Sequence, residues 1–443
     1  MDKRADTGAE DDSSRVIRSP LLRPLYRNYV LAVLLIGYSL NFLDRQIISV
    51  LLQPLKLDLH LSDTYLGFLS GLSFALFYAT LGIPLAALAD NRSRRLIISV
   101  SMAIWSGMTA ACGLAQNFVQ LIIARFGVGI GEAGFSPASL SMIADYFPKE
   151  KRASAVAITS VGAMIGTMLG LLIGGWGYEW LGWRGAMMIA GLPGLAFALL
   201  MWTTVKEPPR GMADGVVPAP KLRIGVLTSA RHLWKIKSYR HICLGSGISS
   251  VALFGFSTWM PSLLARSYHM SPGQVGSILG PVLGVVGVLG ALVSGYLTDR
   301  LIVADARWSV WLPSIASVAA APFAAAAFLA HSATMTIALY GLSYFLCIFF
   351  SAPTSSIVQS LVPLDMRSVA AAWKLLLVNL IGLGLGPLLI GRVSEMLVAT
   401  AGQESLRQAL LYSTPLFVLP CFFYLFSAKY LVRDAAEQGG LVI

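Results

Sequence analysis

Long apolar stretches alternate with short polar corners from residue 28 almost to the end of the chain. A bilayer core of ~30 Å needs roughly 20 helical residues to cross it, and the stretches are long enough for helices, whereas barrel strands are far shorter. The pattern predicts twelve spans, at 28–54, 65–89, 95–116, 118–144, 154–178, 185–205, 240–264, 273–298, 309–330, 333–361, 367–396 and 406–430. The polar Gln116-Asn117 corner separates the third from the fourth. The longest polar gap, 206–239, follows the sixth span and contains Pro208, Pro209, Pro218 and Pro220. It reads as a linker between two six-helix halves, 28–205 and 240–430, with terminal tails at 1–27 and 431–443.

Composition agrees with a membrane protein. The chain has 443 residues, 56% of them hydrophobic and only 12% charged. A soluble domain carries about a quarter charged residues. The first 27 residues contain no apolar core, so no cleavable signal peptide is expected and the first span serves as its own insertion signal. Cys112, Cys243, Cys347 and Cys421 fall inside apolar runs without paired spacing, and read as buried thiols, not as a disulfide frame or metal site. No cofactor is expected.

The net charge of +11 raises nucleic-acid binding as an alternative. The placement of the 33 Lys and Arg removes its support. Twenty-five lie on the side that holds both termini and the linker, five on the other side, and Arg45, Arg125 and Lys374 lie within spans. That bias predicts termini and linker in the cytoplasm and a multi-pass protein of the cell inner membrane, expected to work as a monomer.

The two halves repeat one another. Leu88-Ala89-Asp90-Asn91-Arg92 ends the second span, and Gly295-Tyr296-Leu297-Thr298-Asp299-Arg300 ends the eighth. Pro148-Lys149-Glu150-Lys151-Arg152 after the fourth is answered by Pro363-Leu364-Asp365-Met366-Arg367 after the tenth. Gly170-Leu171-Leu172-Ile173-Gly174-Gly175 in the fifth is answered by Gly386-Pro387-Leu388-Leu389-Ile390-Gly391 in the eleventh. An even number of spans per half makes these parallel repeats, related by an axis along the membrane normal.

These features resemble the major facilitator superfamily of secondary transporters over essentially the whole chain. Asp90 with Arg92, Arg94 and Arg95, and Asp299-Arg300, resemble its loop motif; Ala86 replaces the motif's leading glycine. Asn41-Phe42-Leu43-Asp44-Arg45, the run Arg125 to Ala133, and Glu207-Pro208-Pro209-Arg210-Gly211 resemble the Spinster subfamily, bacterial type. The resemblance implies alternating access around a central cavity lined by the first and fourth helices of each half. It implies proton coupling and substrate response at the matching Asp44, Arg125 and Glu132, and an association with lysophospholipids and sphingoid lipids.

A charge at mid-bilayer costs roughly 2.5–3.5 kcal/mol, so Asp44, Arg45, Arg125, Glu132 and Lys374 must be paired or face a watery cavity. Arg125, Gly129, Glu132 and Ser136 form one stripe of the fourth helix, and Asn41 and Asp44 share a face of the first. The simplest arrangement aims Asp44 at Arg125, with Glu132 one or two turns away. A proton on Asp44 or Glu132 would then compete with a substrate headgroup at Arg125. A permanent structural ion pair is the alternative, with Glu132 balancing Arg45. Arg45 points ~100° from Asp44 and either joins the cluster or pairs elsewhere. Lys374 is expected to snorkel back to the cytoplasmic surface.

In the second half, the seventh and tenth helices offer hydroxyls and aromatic rings, Tyr340 and Tyr344 among them, and no charge. Substrate contacts are therefore expected from Arg125, Asn41, Arg45, Ser136, Tyr340 and Tyr344. One charged half facing one aromatic half suits an amphipathic or anionic small molecule. Asp90, Arg92, Arg94, Arg95, Asp299 and Arg300 are expected to form gating latches. Gly129 to Gly134 fits G-x-G-x-x-G, but no strand precedes it, so it is no dinucleotide site. Gly162, Gly166 and Gly170 are spaced for close helix packing. A carrier of a small organic acid or drug is the nearest alternative. A scramblase or membrane-embedded lipid enzyme is the non-transporter alternative, disfavoured because the five histidines are scattered.

Overall fold

The computed structural model of the protein describes residues 21, 23–214, 226–363 and 366–437. Ten helical stretches are long and apolar enough to cross a membrane, and two of these, Lys149–Thr204 and Val369–Glu437, are long enough to cross twice. Each turns back at a glycine with positive φ, Gly182 (φ 68°) and Gly402 (φ 54°), a backbone conformation open to glycine at little cost. The result is twelve crossing helices: α1 Pro24–Leu59, α2 63–91, α3 Arg94–Cys112, α4 Phe118–Tyr146, α5 149–181, α6 183–204, α7 Lys237–Tyr268, α8 Pro272–Leu301, α9 Trp308–Leu329, α10 Ala333–Ser360, α11 367–401 and α12 405–437. A short amphipathic helix, Val226–Lys235, lies within the segment expected as linker, and buries Leu233 against α7 and α11.

The polar corners start the helices. Ser62, Ser93, Asn117, Ser271 and Ser332 each accept a backbone N–H of the first turn, satisfying a donor that the helix itself leaves open. The duplication extends to these details. His60 and His269 end α1 and α7 in the same left-handed conformation, and Ser62 and Ser271 cap the helices that follow. The same spacing of residues separates Asp90 from Asp299.

Within the N-terminal half, α5 lies directly on α1. A Cβ at Gly162 would stand 2.6 Å from the Leu35 carbonyl oxygen and one at Gly170 2.8 Å from that of Leu43, while at Gly166 it would collide with the Ser39 carbonyl. Small residues let two backbones approach where lipid supplies no hydrophobic drive.

The halves meet at the end of the bundle opposite the termini. There α5 packs on α8 and α2 on α11. Helices α2 and α11 each widen into a π-turn stretch, Phe68–Leu72 and Val378–Leu385, and the two stretches face each other, with Gly71 against the Gly384 carbonyl. Such widened turns loosen the regular ladder and recur at functional sites.

Gly166→Val is expected to overpack the α1–α5 contact, costing about 1–3 kcal/mol. The variant in detergent should melt several degrees below wild type; an unchanged melting temperature contradicts the packing described.

Candidate functional site

The intramembrane charges of the N-terminal half gather between α1, α2, α3 and α4. Adjacent residues on α1 diverge by ~100°, so Asp44 and Arg45 reach different neighbours. Asp44 is 2% exposed and accepts a hydrogen bond from Thr109 Oγ1 of α3 at 3.0 Å; its other oxygen has no partner. Arg45 pairs with fully buried Glu132, Nε to Oε2 at 2.6 Å. Its guanidinium also lies over the rings of Phe42, Phe74 and Tyr78, at 5.0, 5.0 and 4.4 Å.

Arg125, 2% exposed, differs. Among the described residues it makes no ion pair or hydrogen bond; its guanidinium lies over the Phe74 ring at 5.5 Å and within electrostatic reach of Asp44 and Glu132. Its Nε is buried without a partner. Phe74 therefore carries both guanidinium groups, Arg45 and Arg125. The expected direct Asp44–Arg125 pair is not formed in this conformation. Thr109 takes one Asp44 oxygen, and Glu132 is held by Arg45, which joins the cluster. Asn41, 1% exposed, lies against Glu132 in this group. Ser136 lies beyond a break in α4 at Gly134, so the stripe from Arg125 bends before reaching it.

Across the bundle, Tyr340 is buried with an unpartnered hydroxyl, and Tyr344 lies next to it, ring centres 6.1 Å apart. The expected aromatic cavity wall is only partly realised. Phe256 packs on Phe328 and Phe417, and Trp259 donates to the Pro387 carbonyl at 2.8 Å; both rings belong to the core of the C-terminal half. The charge of that half within the membrane lies on α11, not on the α7–α10 wall. Lys374 does not snorkel outward: it is 6% exposed and donates to Thr354 Oγ1 at 2.7 Å and Ser355 Oγ at 2.8 Å.

The loop motif forms a clasp inside one half. Buried Arg94 donates Nε to Glu207 at 2.8 Å, NH2 to the Pro208 carbonyl at 2.6 Å, and NH1 to Asp145 at the end of α4. Glu207 also accepts from Ser93 and from the Arg95 backbone N–H. Arg95 lies over Trp202, and the exposed Arg92 offers its carbonyl to Arg210. The Asp90 side chain lies outside the described residues. Asp299 and Arg300 are exposed, Arg300 resting on Tyr296, so among the described residues the second copy of the motif forms no matching clasp. Burial opposes ionisation of Glu207, but the Arg95 N–H, the Arg94 guanidinium and the Ser93 hydroxyl outweigh it and hold its carboxyl below the ordinary value.

At the opposite end stands a cluster that sequence reasoning missed. Asp63, 1% exposed, accepts both terminal nitrogens of Arg266 from the other half at 2.8 and 2.7 Å, Lys56 at 2.6 Å, and Ser394 at 2.6 Å. Arg266 Nε also donates to Gln53 at 2.6 Å. Glu395 accepts the Thr64 backbone N–H, and Glu179 accepts Ser271 and the Gly273 N–H, all across the divide. The bidentate fork fixes geometry as well as charge. The rarity of bases on this side was the available signal: Lys56 and Arg266 are two of only five there, yet both served only as topology counts.

Two repeated helical halves tied together at one end by buried charge, with further ionisable groups buried at mid-depth, fit a membrane carrier. The comparisons place it. A sequence model of the Major Facilitator Superfamily matches residues 34–387, and the chain belongs to that family of secondary transporters. It is 32% identical over 409 residues to an MFS-type efflux pump of Mycolicibacterium smegmatis, covering 92% of this chain and 94% of that protein. It is 25% identical over 437 residues to the sphingosine-1-phosphate transporter SPNS2 of Danio rerio, covering 92% and 85%. Among solved structures, a bacterial homolog of the human lysosomal transporter Spinster, in an inward-facing and unoccupied conformation, superposes with a TM-score of 0.86 at 30% identity, covering 93% of this chain and 99% of that one.

Two outcomes test these contacts. Asp63→Asn weakens a buried pair of a kind that typically costs 3–5 kcal/mol to break; spin labels placed one on each half at that end should show a population of longer distances, and an unchanged distribution contradicts the latch. Because the Glu207 carboxyl is held low in the folded protein, its stabilisation is present above the ordinary glutamate value of about 4.3 and is lost as pH falls below it. Glu207→Gln should therefore melt below wild type at pH 7, with the gap closing toward pH 3; a gap independent of pH contradicts this.

Proposed function

We propose that the protein is a proton-coupled carrier of an amphipathic anion, lipid-like in shape, working by alternating access in the cell inner membrane with both termini in the cytoplasm. The observation that carries the reading is Arg125, a buried guanidinium that makes no ion pair or hydrogen bond among the described residues, set within electrostatic reach of Asp44, whose hydrogen-bond partner there is a hydroxyl. An unpaired cation in low dielectric is costly and attracts an anion. An unpaired carboxyl in the same setting is cheapest as the neutral acid. Asp44 holds the proton when the headgroup occupies Arg125 and pairs with Arg125 when the headgroup has left; the two events are thereby coupled. Glu132, with Arg45 already against it, acts as the second proton acceptor once that pair separates. Asn41, Arg45 and Ser136 complete the polar side of the site, and Tyr340 and Tyr344 the opposite side.

Three further points support a cargo with an apolar body. The C-terminal half opposes aromatic and aliphatic groups to this charged cluster. A groove of about 980 Å³ between α8 and α10, lined by residues such as Ile278, Val282, Ile337 and Phe345, suits a hydrocarbon chain. A relative covering most of the chain is named a sphingosine-1-phosphate transporter. The efflux-pump relative favours a second reading, export of an amphipathic drug through the same site. The motif residues Asp90, Arg92, Arg94, Arg95, Asp299 and Arg300 sit at the linker end, where the gate opposed by the Asp63–Arg266 latch would close, with the Arg94 clasp bracing the N-terminal half beside it. The five-to-one distribution of bases supports the orientation.

In proteoliposomes, addition of a lysophospholipid is expected to move protons, and Asp44→Asn to reduce that movement at least tenfold. Arg125→Gln should weaken binding of the anionic lipid without abolishing proton binding at Asp44. Lipid flux that ignores the pH gradient and is untouched by Asp44→Asn would identify a scramblase instead and sink the proposal.

A further inference from the structure

Lys374 is a second buried cation that forms no direct ion pair among the described residues, and it lies in the other half. It belongs to α11, seven residues past Arg367, roughly 10 Å along the helix from the linker end. Lys374 is 6% exposed, and among the described residues its ammonium hydrogen-bonds Thr354 and Ser355 of α10. Each hydroxyl already donates its own proton to a backbone carbonyl one turn back, Thr354 to Phe350 at 2.5 Å and Ser355 to Ser351 at 2.6 Å. Both hydroxyls can therefore act toward Lys374 only as acceptors. An ammonium has three donors, so one N–H remains without an acceptor, and no carboxylate pairs with it among the described residues.

The site is close to a polar surface. Ser351, Ser355, Ser356 and Gln359 form an exposed strip of α10, and Ser355 belongs both to this strip and to the Lys374 contact. Four polar side chains in a row on an exposed face fit water, not lipid. The first turns of α11 also pack against α2 of the N-terminal half, which places Lys374 beside the divide between the halves. A cation with a spare donor, one side chain beneath a polar wall and next to the path, has the chemistry of an anion site awaiting its ion.

We propose that Lys374, with Ser355 as the accessible hydroxyl, binds the oxyanion headgroup, phosphate or carboxylate, of a ligand on the C-terminal half near the linker end. The site deepens the carrier reading and rests on it for the identity of the ligand as an amphipathic anion. It makes the path a two-station one, with Arg125 deep in one half and Lys374 shallow in the other.

Binding to the purified full-length protein in detergent tests this with three probes: oleoyl lysophosphatidate, the neutral monooleoylglycerol, and inorganic phosphate. Wild type is expected to bind the phosphate-bearing lipid at least tenfold more tightly than the neutral one. Lys374→Met, which keeps an apolar chain of similar length in the buried site, should bring the ratio within about threefold, and Lys374→Arg should preserve it. If phosphate alone raises the melting temperature of wild type and not of Lys374→Met while neither lipid binds, the anion site stands and the amphipathic cargo fails. If Lys374→Met keeps the full preference, the Lys374 site is overturned and the cargo reading survives; if both lipids bind wild type equally, both are overturned. If none of the three probes binds, both are overturned.

Discussion

An ionised side chain in hydrocarbon has to be neutralised, and the interior of this transporter is organised by how each of its few charges meets that demand. Arg45 meets it fully: Glu132 takes its charge and three aromatic rings cover its faces. Asp44 meets it halfway, with one hydroxyl for two oxygens. Among the described residues, Arg125 and Lys374 form no direct ion pair with a carboxylate; Arg125 feels Asp44 and Glu132 only at longer range. A paired charge is fixed in place, whereas an unpaired one keeps a preference for whatever ion or proton can reach it. The charges are thus distinguished by their partners, not by their residue type.

The same constraint shapes the closing of the bundle. Asp63 is almost fully buried, yet it collects two cations and a serine from three helices, and one of those cations comes from the other half. Such a cluster is stable only while the halves touch, because parting them strands a carboxylate and a guanidinium. Around it the approach of the halves depends on glycines: Gly71 against Gly384, and Gly276 against Leu171. Close backbone contact without interlocking large side chains holds the end shut and leaves rocking possible. The clasp at Arg94, by contrast, ties three segments of one half together and stiffens that half as a moving body.

Much of this was legible in the chain. Runs of apolar residues revealed the spans, because hydrocarbon thickness sets their length. The repeat was visible at Asp90 and Asp299, and it recurs in structure at His60 and His269, and at Ser62 and Ser271, where identical corners need identical caps. The five intramembrane charges stood out because so few charges are present. Their pairing was not legible. The helical periodicity put Arg125 and Glu132 on one stripe and suggested Asp44 as the partner of Arg125, but Thr109 comes from a helix whose rotation no local pattern reveals. Lys374 was misplaced for a similar reason: its distance from the surface permits snorkelling, and only the position of Thr354 and Ser355 turns it inward.

The sequence by itself determined which residues cross the membrane, that the halves are copies, and which charges are expensive enough to require an explanation. These depend on composition and on spacing along one chain, quantities that the bilayer thickness and the helical repeat translate directly. The tertiary structure alone decided who neutralises whom. Arg45 took Glu132, Asp63 took Arg266 from 203 residues away, and Arg125 and Lys374 were left over. That division depends on distances of a few ångströms between helices that are far apart in the chain, where Coulomb attraction in low dielectric is decided.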